Sequence, residues 1–155
     1  MIQINGMAHV ILTVSRFEES RAFYCGLLPF LGLQKVYDGN NFVYHVGGRT
    51  ALGIQRPALE HEGERFEQNR VGLHHLCFRA RSREDVDKAA AKVRELGGKI
   101  DRGPLEGDFA PGYYYFVFED PDGIRLELNY VPGKGLLATE TPLSPSDDPD
   151  WDQNP

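Results

Sequence analysis

Cysteine is scarce: the 155 residues hold two, Cys25 and Cys77, widely separated in sequence. Two such cysteines make neither a disulfide framework nor a cysteine-based zinc motif. They read as free thiols in a reducing cytosol. Long apolar runs are missing too, and none approaches the roughly 20 residues that span a bilayer. The opening MIQINGMAHV lacks the basic start and apolar core of a secretory signal. Positive charge is in deficit, with 17 Lys and Arg against 23 Asp and Glu and a net charge of −6. Nucleic acid and anionic membranes are bound through a basic face, so neither is an expected partner. These absences lead to the expectation of a soluble, cytoplasmic protein.

What the chain does have is a duplication. Met7 to Gly32 and Leu73 to Gly98 follow one plan, with His9 and His75 at matching places 66 residues apart. Each copy opens on an apolar strand, MAHVILTV and LHHLCFRA, and then turns acidic, with RFEES and SREDVD. Apolar residues next recur at helical spacing, and each helix ends near glycine, at Gly32 and at Gly97-Gly98. Ser15 and Ser82 are the expected N-caps, with Glu18 and Asp85 three residues on. Three short strands follow in each copy. In the first they are 33–37, 42–46 and 50–55. In the second one begins at Lys99, and the others are 113–119 and 124–130.

The expected fold is therefore α+β, two βαβββ modules whose sheets curl around a cavity. The first module spans 1–57, a polar linker 58–71, and the second module 72–131. Residues 132–155 hold five of the ten prolines and no apolar periodicity, so this tail is expected to be disordered or docked on a neighbour through Trp151. A chain of this length buries about 68–70% of its unfolded surface and folds without staples.

Chemistry concentrates on the last strand. If Leu126 and Leu128 face the helix, Glu127 faces the concave side with Arg125 and Asn129. A carboxylate set among leucines needs a partner, because burying it alone costs several kcal/mol, on the order of the penalty for any unpaired ion. The duplication can bring His9 and His75 together about a pseudo-twofold axis. Two imidazoles and one carboxylate suit a divalent ion with open positions. Tyr113 and Tyr115 face the same cavity if Phe116 and Phe118 pack on the helices. His74 is expected to face the helix layer, His45 and His61 the surface, and Gly103 to Gly112 to form a loop rich in glycine and proline.

Paired modules, a histidine on each first strand, GLHHLCF and the closing DPDGIRLEL resemble the vicinal oxygen chelate superfamily, the glyoxalase, bleomycin resistance and dioxygenase family. The resemblance covers about residues 5–131. It implies His9, His75 and Glu127 as ligands of one divalent ion (Ni, Zn, Mn, Co or Fe). It implies a glyoxalase-like lyase or isomerase acting on a small molecule with vicinal oxygens. Glu127 and Tyr115 are then the catalytic candidates, and Tyr113, Arg125, Asn129 and Gln55 the substrate-binding ones. A homodimer is implied, with the site either within one chain or between swapped modules. Two departures bear on the reaction. Glyoxalases of this family carry Glu or Gln where this chain has Gly53, with Gln55 the nearest substitute. The ring-cleaving dioxygenases carry a Tyr where this chain has Val117. A fosfomycin-type thiol transferase, a dioxygenase and a metal-free antibiotic-binding protein are the alternatives on the same fold.

Overall fold

The computed structural model describes residues 1–137, so Trp151 and the tail from residue 138 lie outside the described residues. The first repeat gives β1 (His9–Thr13), α1 (Phe17–Phe30), β2 (Gln34–Asp38), β3 (Phe42–Val46) and β4 (Ala51–Gln55). The second gives β5 (Leu76–Arg79), α2 (Arg83–Glu95), β6 (Lys99–Gly107), β7 (Tyr113–Glu119) and β8 (Arg125–Tyr130). Each forms an open four-stranded sheet, in the orders β1-β4-β3-β2 and β5-β8-β7-β6. The first strand of each repeat runs parallel to the last. The helix supplies the crossover that a parallel pair requires. The remaining pairs are antiparallel. This is the expected α+β architecture.

Each sheet lays one face on its own helix, and the two helices meet. α1 buries Phe17, Phe23, Tyr24, Leu27 and Leu28, and α2 buries Val86, Ala89, Ala90 and Val93. These side chains form one continuous core with Phe116, Phe118, Leu126 and Leu128 from the second sheet. Phe23 meets Phe118 at 6.4 Å between ring centres, joining the repeats. Burying each such side chain contributes about 1.5–3 kcal/mol, so this core favours the two repeats folding as one body. The helices thus occupy the middle, and the second face of each sheet turns away from them.

Four local expectations fail for identifiable reasons. Ser15 does not cap α1. Its hydroxyl accepts the Gly63 N–H at 2.6 Å, and α1 begins one residue later with Arg16 at the cap position. The Arg16 N–H is satisfied instead by both carboxylate oxygens of Asp122 at 3.1 Å. Ser82 does cap α2, accepting the Asp85 N–H at 3.1 Å. β6 continues through Gly107 where a loop was expected, pairing Leu105 with Tyr115 and Gly107 with Tyr113. Its register slips around Gly103, whose φ is +82° and whose position would drive a Cβ to 2.4 Å from the Tyr115 carbonyl. Only glycine fits there, which is why a strand interrupted by Gly-Pro reads as a loop.

β5 is shorter than expected, leaving His74 and His75 just before it. His45 is buried at 1% exposure rather than lying on the surface, and its Nε2 has no hydrogen-bond partner among the described residues. It shares a face of β3 with the fully buried Val43. Burial holds its pKa below the ordinary histidine value.

Candidate functional site

The outward face of the second sheet carries a pocket whose lining includes His75, Glu127, Tyr115, Arg125, Phe109 and Asp101. The DPDG turn sets it up. Gly123 takes φ +83°, and β8 leaves with Leu126 and Leu128 buried in the core. Strict alternation then throws Arg125, Glu127 and Asn129 to the other face. Glu127 pairs with Val117 on β7 and with Cys77 on β5 and retains 7% exposure. Its Oε2 stands 3.4 Å from His75 Nε2. Its Oε1 accepts the Tyr113 hydroxyl, and Asn129 Nδ2 lies 3.3 Å from the same oxygen. Burial, and then the Glu127 carboxylate, push the Tyr113 phenol well above its ordinary pKa, so it stays protonated and donates.

The other residues singled out on this sheet are spoken for. Arg125 forms an ion pair with Asp101 at 3.1 Å. Tyr115 is buried and packs with Tyr113 and with Phe109, a residue of the β6–β7 connection that sequence reading passed over. Its signal was present as an aromatic between two glycines, where an exposed loop has no need of one. His74, expected against the helix layer, instead lines the same pocket as His75. Strand alternation does not govern it, because it precedes β5. Its Nε2 lies 2.6 Å from Gln68 and its Nδ1 2.7 Å from His75 Nδ1.

The first sheet presents a separate outward face. His9 is exposed there and meets the Tyr44 ring edge-on at 6.5 Å. Gly53 lies beneath Ile11 and Phe42, and a Cβ on it would come within 2.8 Å of Ile11 Cδ1 and 2.9 Å of Phe42 Cε2. Apolar side chains thus fill the space that a side chain at position 53 would need. Gln55 donates to Thr13 Oγ1 at 3.3 Å. His9 pairs with Ala51, whereas Gln55 pairs with Thr13 at the far end of the same ladder. Four residues of strand separate them, about 13 Å, so Gln55 is out of reach of His9. Among the described residues no three His, Cys, Asp or Glu side chains of one chain gather closely enough to hold a metal ion.

Comparison with known proteins gives one answer at the level of family. The model of the Glyoxalase/Bleomycin resistance protein/Dioxygenase superfamily matches residues 6–128. The uncharacterized protein YqjT of Bacillus subtilis is 35% identical over 128 residues, covering 79% of this chain and 96% of YqjT. A probable lactoylglutathione lyase of Synechocystis is 28% identical over 132 residues, covering 83% of this chain and 97% of that protein. The crystal structure of a candidate glyoxalase from Bacillus halodurans superposes with a TM-score of 0.71 at 34% identity, over 81% of this chain and 95% of that one. The chain belongs to this superfamily.

Proposed function

We propose that this member of the glyoxalase superfamily is a divalent-metal-dependent lyase or isomerase of a small substrate bearing vicinal oxygens. The observation that carries the reading is the 3.4 Å between His75 Nε2 and Glu127 Oε2. Two ligand atoms, each about 2.1 Å from a tetrahedral ion, stand about 3.4 Å apart. Imidazole nitrogen with carboxylate oxygen fits Ni, Zn, Mn, Co or Fe and does not choose among them. A bound ion would supply Lewis acidity toward the substrate's oxygens.

The chain's own residues divide the remaining work. Glu127 is buried and hydrogen-bonded, so it can pass a proton without being exposed to bulk water. Phe109 and Tyr115 form an aromatic wall for the carbon part of the substrate, the usual composition of a small-molecule site. Arg125, steadied by Asp101, offers positive charge at the rim.

The third ligand is His9, and it lies on the other sheet. The two sheets turn their outward faces away from the paired helices, so one chain does not bring His9 to Glu127. A second copy can, with His9 from one protomer and His75 and Glu127 from the other. The surroundings of His9 favour such cover: Met7, Ile11, Tyr37 and Val46 are all exposed. Apolar patches of this kind mark interaction surfaces. The active unit in this reading is a homodimer with two shared sites.

Gly53 favours one second reading. With its fourth-ligand position filled by Ile11 and Phe42, the set of three ligands equals that of a fosfomycin-type thiol transferase. Metal analysis of protein purified without chelator, beside a His75→Ala, Glu127→Ala variant, tests the metal. Near-stoichiometric metal in the unaltered protein, absent from the variant, supports the reading, and metal-free protein that takes up none on titration rejects it. Anaerobic lyase assays with and without added thiol then separate the two reactions.

A further inference from the structure

A one-way chain of hydrogen bonds ends on Glu127 and begins at a residue outside the pocket lining. Arg79 is on β5, paired with Asn129 of β8. Its Nε donates to Asn129 Oδ1 at 2.7 Å. A guanidinium has no acceptor, so this contact fixes which end of the amide is the oxygen. Asn129 must then turn its Nδ2 away, and Nδ2 donates to the Tyr113 oxygen at 2.6 Å. Tyr113 has one proton. Accepting from Asn129, it directs that proton to Glu127 Oε1. Every direction in the chain follows from the arginine that starts it. Glu127 Oε2, the oxygen facing His75, takes none of these bonds.

We propose that Arg79 is a positioning residue for the metal centre: through Asn129 and Tyr113 it saturates Glu127 Oε1 and presents Oε2 as the single ligating oxygen. This rests on the reading of Glu127 as a ligand given above. The consequence for chemistry is an open coordination position. A carboxylate chelating through both oxygens would occupy a place that one of the substrate's two vicinal oxygens needs. Tyr113 and Asn129, expected from sequence to touch substrate, act in this account on the ligand instead. Hydrogen-bond partners of ligands commonly change metal affinity by about ten- to a hundredfold when removed.

Cobalt(II) serves as the probe, because its visible absorption reports coordination number and its affinity can be read by chelator competition. The proteins are the unaltered chain, Arg79→Met (stem kept, donor lost), Arg79→Lys and Tyr113→Phe, each with a thermal melt. The expected result is cobalt binding by the unaltered chain and affinity weakened about ten- to a hundredfold in Arg79→Met and Tyr113→Phe. The absorption should become paler in both, as a second carboxylate oxygen joins the ion. Arg79→Lys should recover most of the affinity, and the double Met and Phe variant should be no worse than either single one. Cobalt affinity and spectrum unchanged in Tyr113→Phe and Arg79→Met overturn the proposal while leaving the metal site standing. Spectra unchanged but melting temperature lowered mean a structural role and also overturn it. An unaltered chain that takes no cobalt overturns the metal reading itself, a different failure.

Discussion

The Tyr24 hydroxyl on α1 donates to Asp120 Oδ2 on the turn before β8, at 2.8 Å and across 96 residues of sequence. Asp120 Oδ1 also accepts the N–H groups of Asp122 and Ile124 at 2.9 and 2.8 Å, which shapes the turn itself. Asp122 in turn holds the N–H of Arg16, the residue at the N-cap of α1. One tetrapeptide, DPDG, therefore clamps the first helix and aims the strand that carries Glu127.

Tyr24→Phe should remove the hydroxyl and leave the Asp120 carboxylate buried with one partner fewer. The expected cost is about 1–3 kcal/mol, the penalty of an under-satisfied buried acceptor. Urea unfolding measures it, with the midpoint lowered and the slope unchanged. A midpoint equal to that of the unaltered chain would mean the clamp carries no strength.

Burial is the largest influence on Asp120 and pushes its carboxyl up to about 6, against the hydrogen bonds that favour its charge. A folded pKa above the unfolded one means the folded state binds the proton more tightly. Asp120 then adds stability below the unfolded value near 3.8, and this is lost as pH rises through about 6. Unfolding free energies measured at intervals from pH 4 to 7 should carry this downward component. Asp120→Asn should remove it, whatever its offset in total stability. Identical pH slopes in the two proteins would contradict the assignment.

Gly53→Glu should not restore a four-ligand glyoxalase site. The new side chain begins against Ile11 and Phe42, and overpacking of this kind costs about 1–3 kcal/mol. A lowered melting temperature with no gain in zinc affinity is the expected pair of results. Tighter zinc binding at undiminished stability would show that this face is open to a fourth ligand.

The duplication was legible because it rests on features that chain order alone preserves: matched histidines, helices ending at glycine, and apolar residues alternating around Glu127. The second-sheet face followed from that alternation, since Phe116 and Phe118 do pack inward. His45 was misread because β3 is apolar on both faces. Phe42, Tyr44 and Val46 look as fit for the core as Val43, so alternation alone did not say which face was inside. The direction of His74 was not legible because it precedes β5, where the alternation of a strand does not hold. The α1 cap escaped because its acceptor, Asp122, comes from the other repeat. The relay from Arg79 depends on a cross-strand pairing between β5 and β8 that sequence order does not disclose.

A mixed dimer tests the shared site most directly. His9→Ala and Glu127→Ala homodimers each lack a ligand in both sites. Co-expressed chains that pair at random form mixed dimers, in which one site regains all three ligands and the other has only His75. Zinc content per protomer should then be near zero for each variant alone and recover to about a quarter of the unaltered value in the mixture. A mixture as empty as its parents, beside an unaltered protein that binds zinc fully, would contradict a site built between two copies.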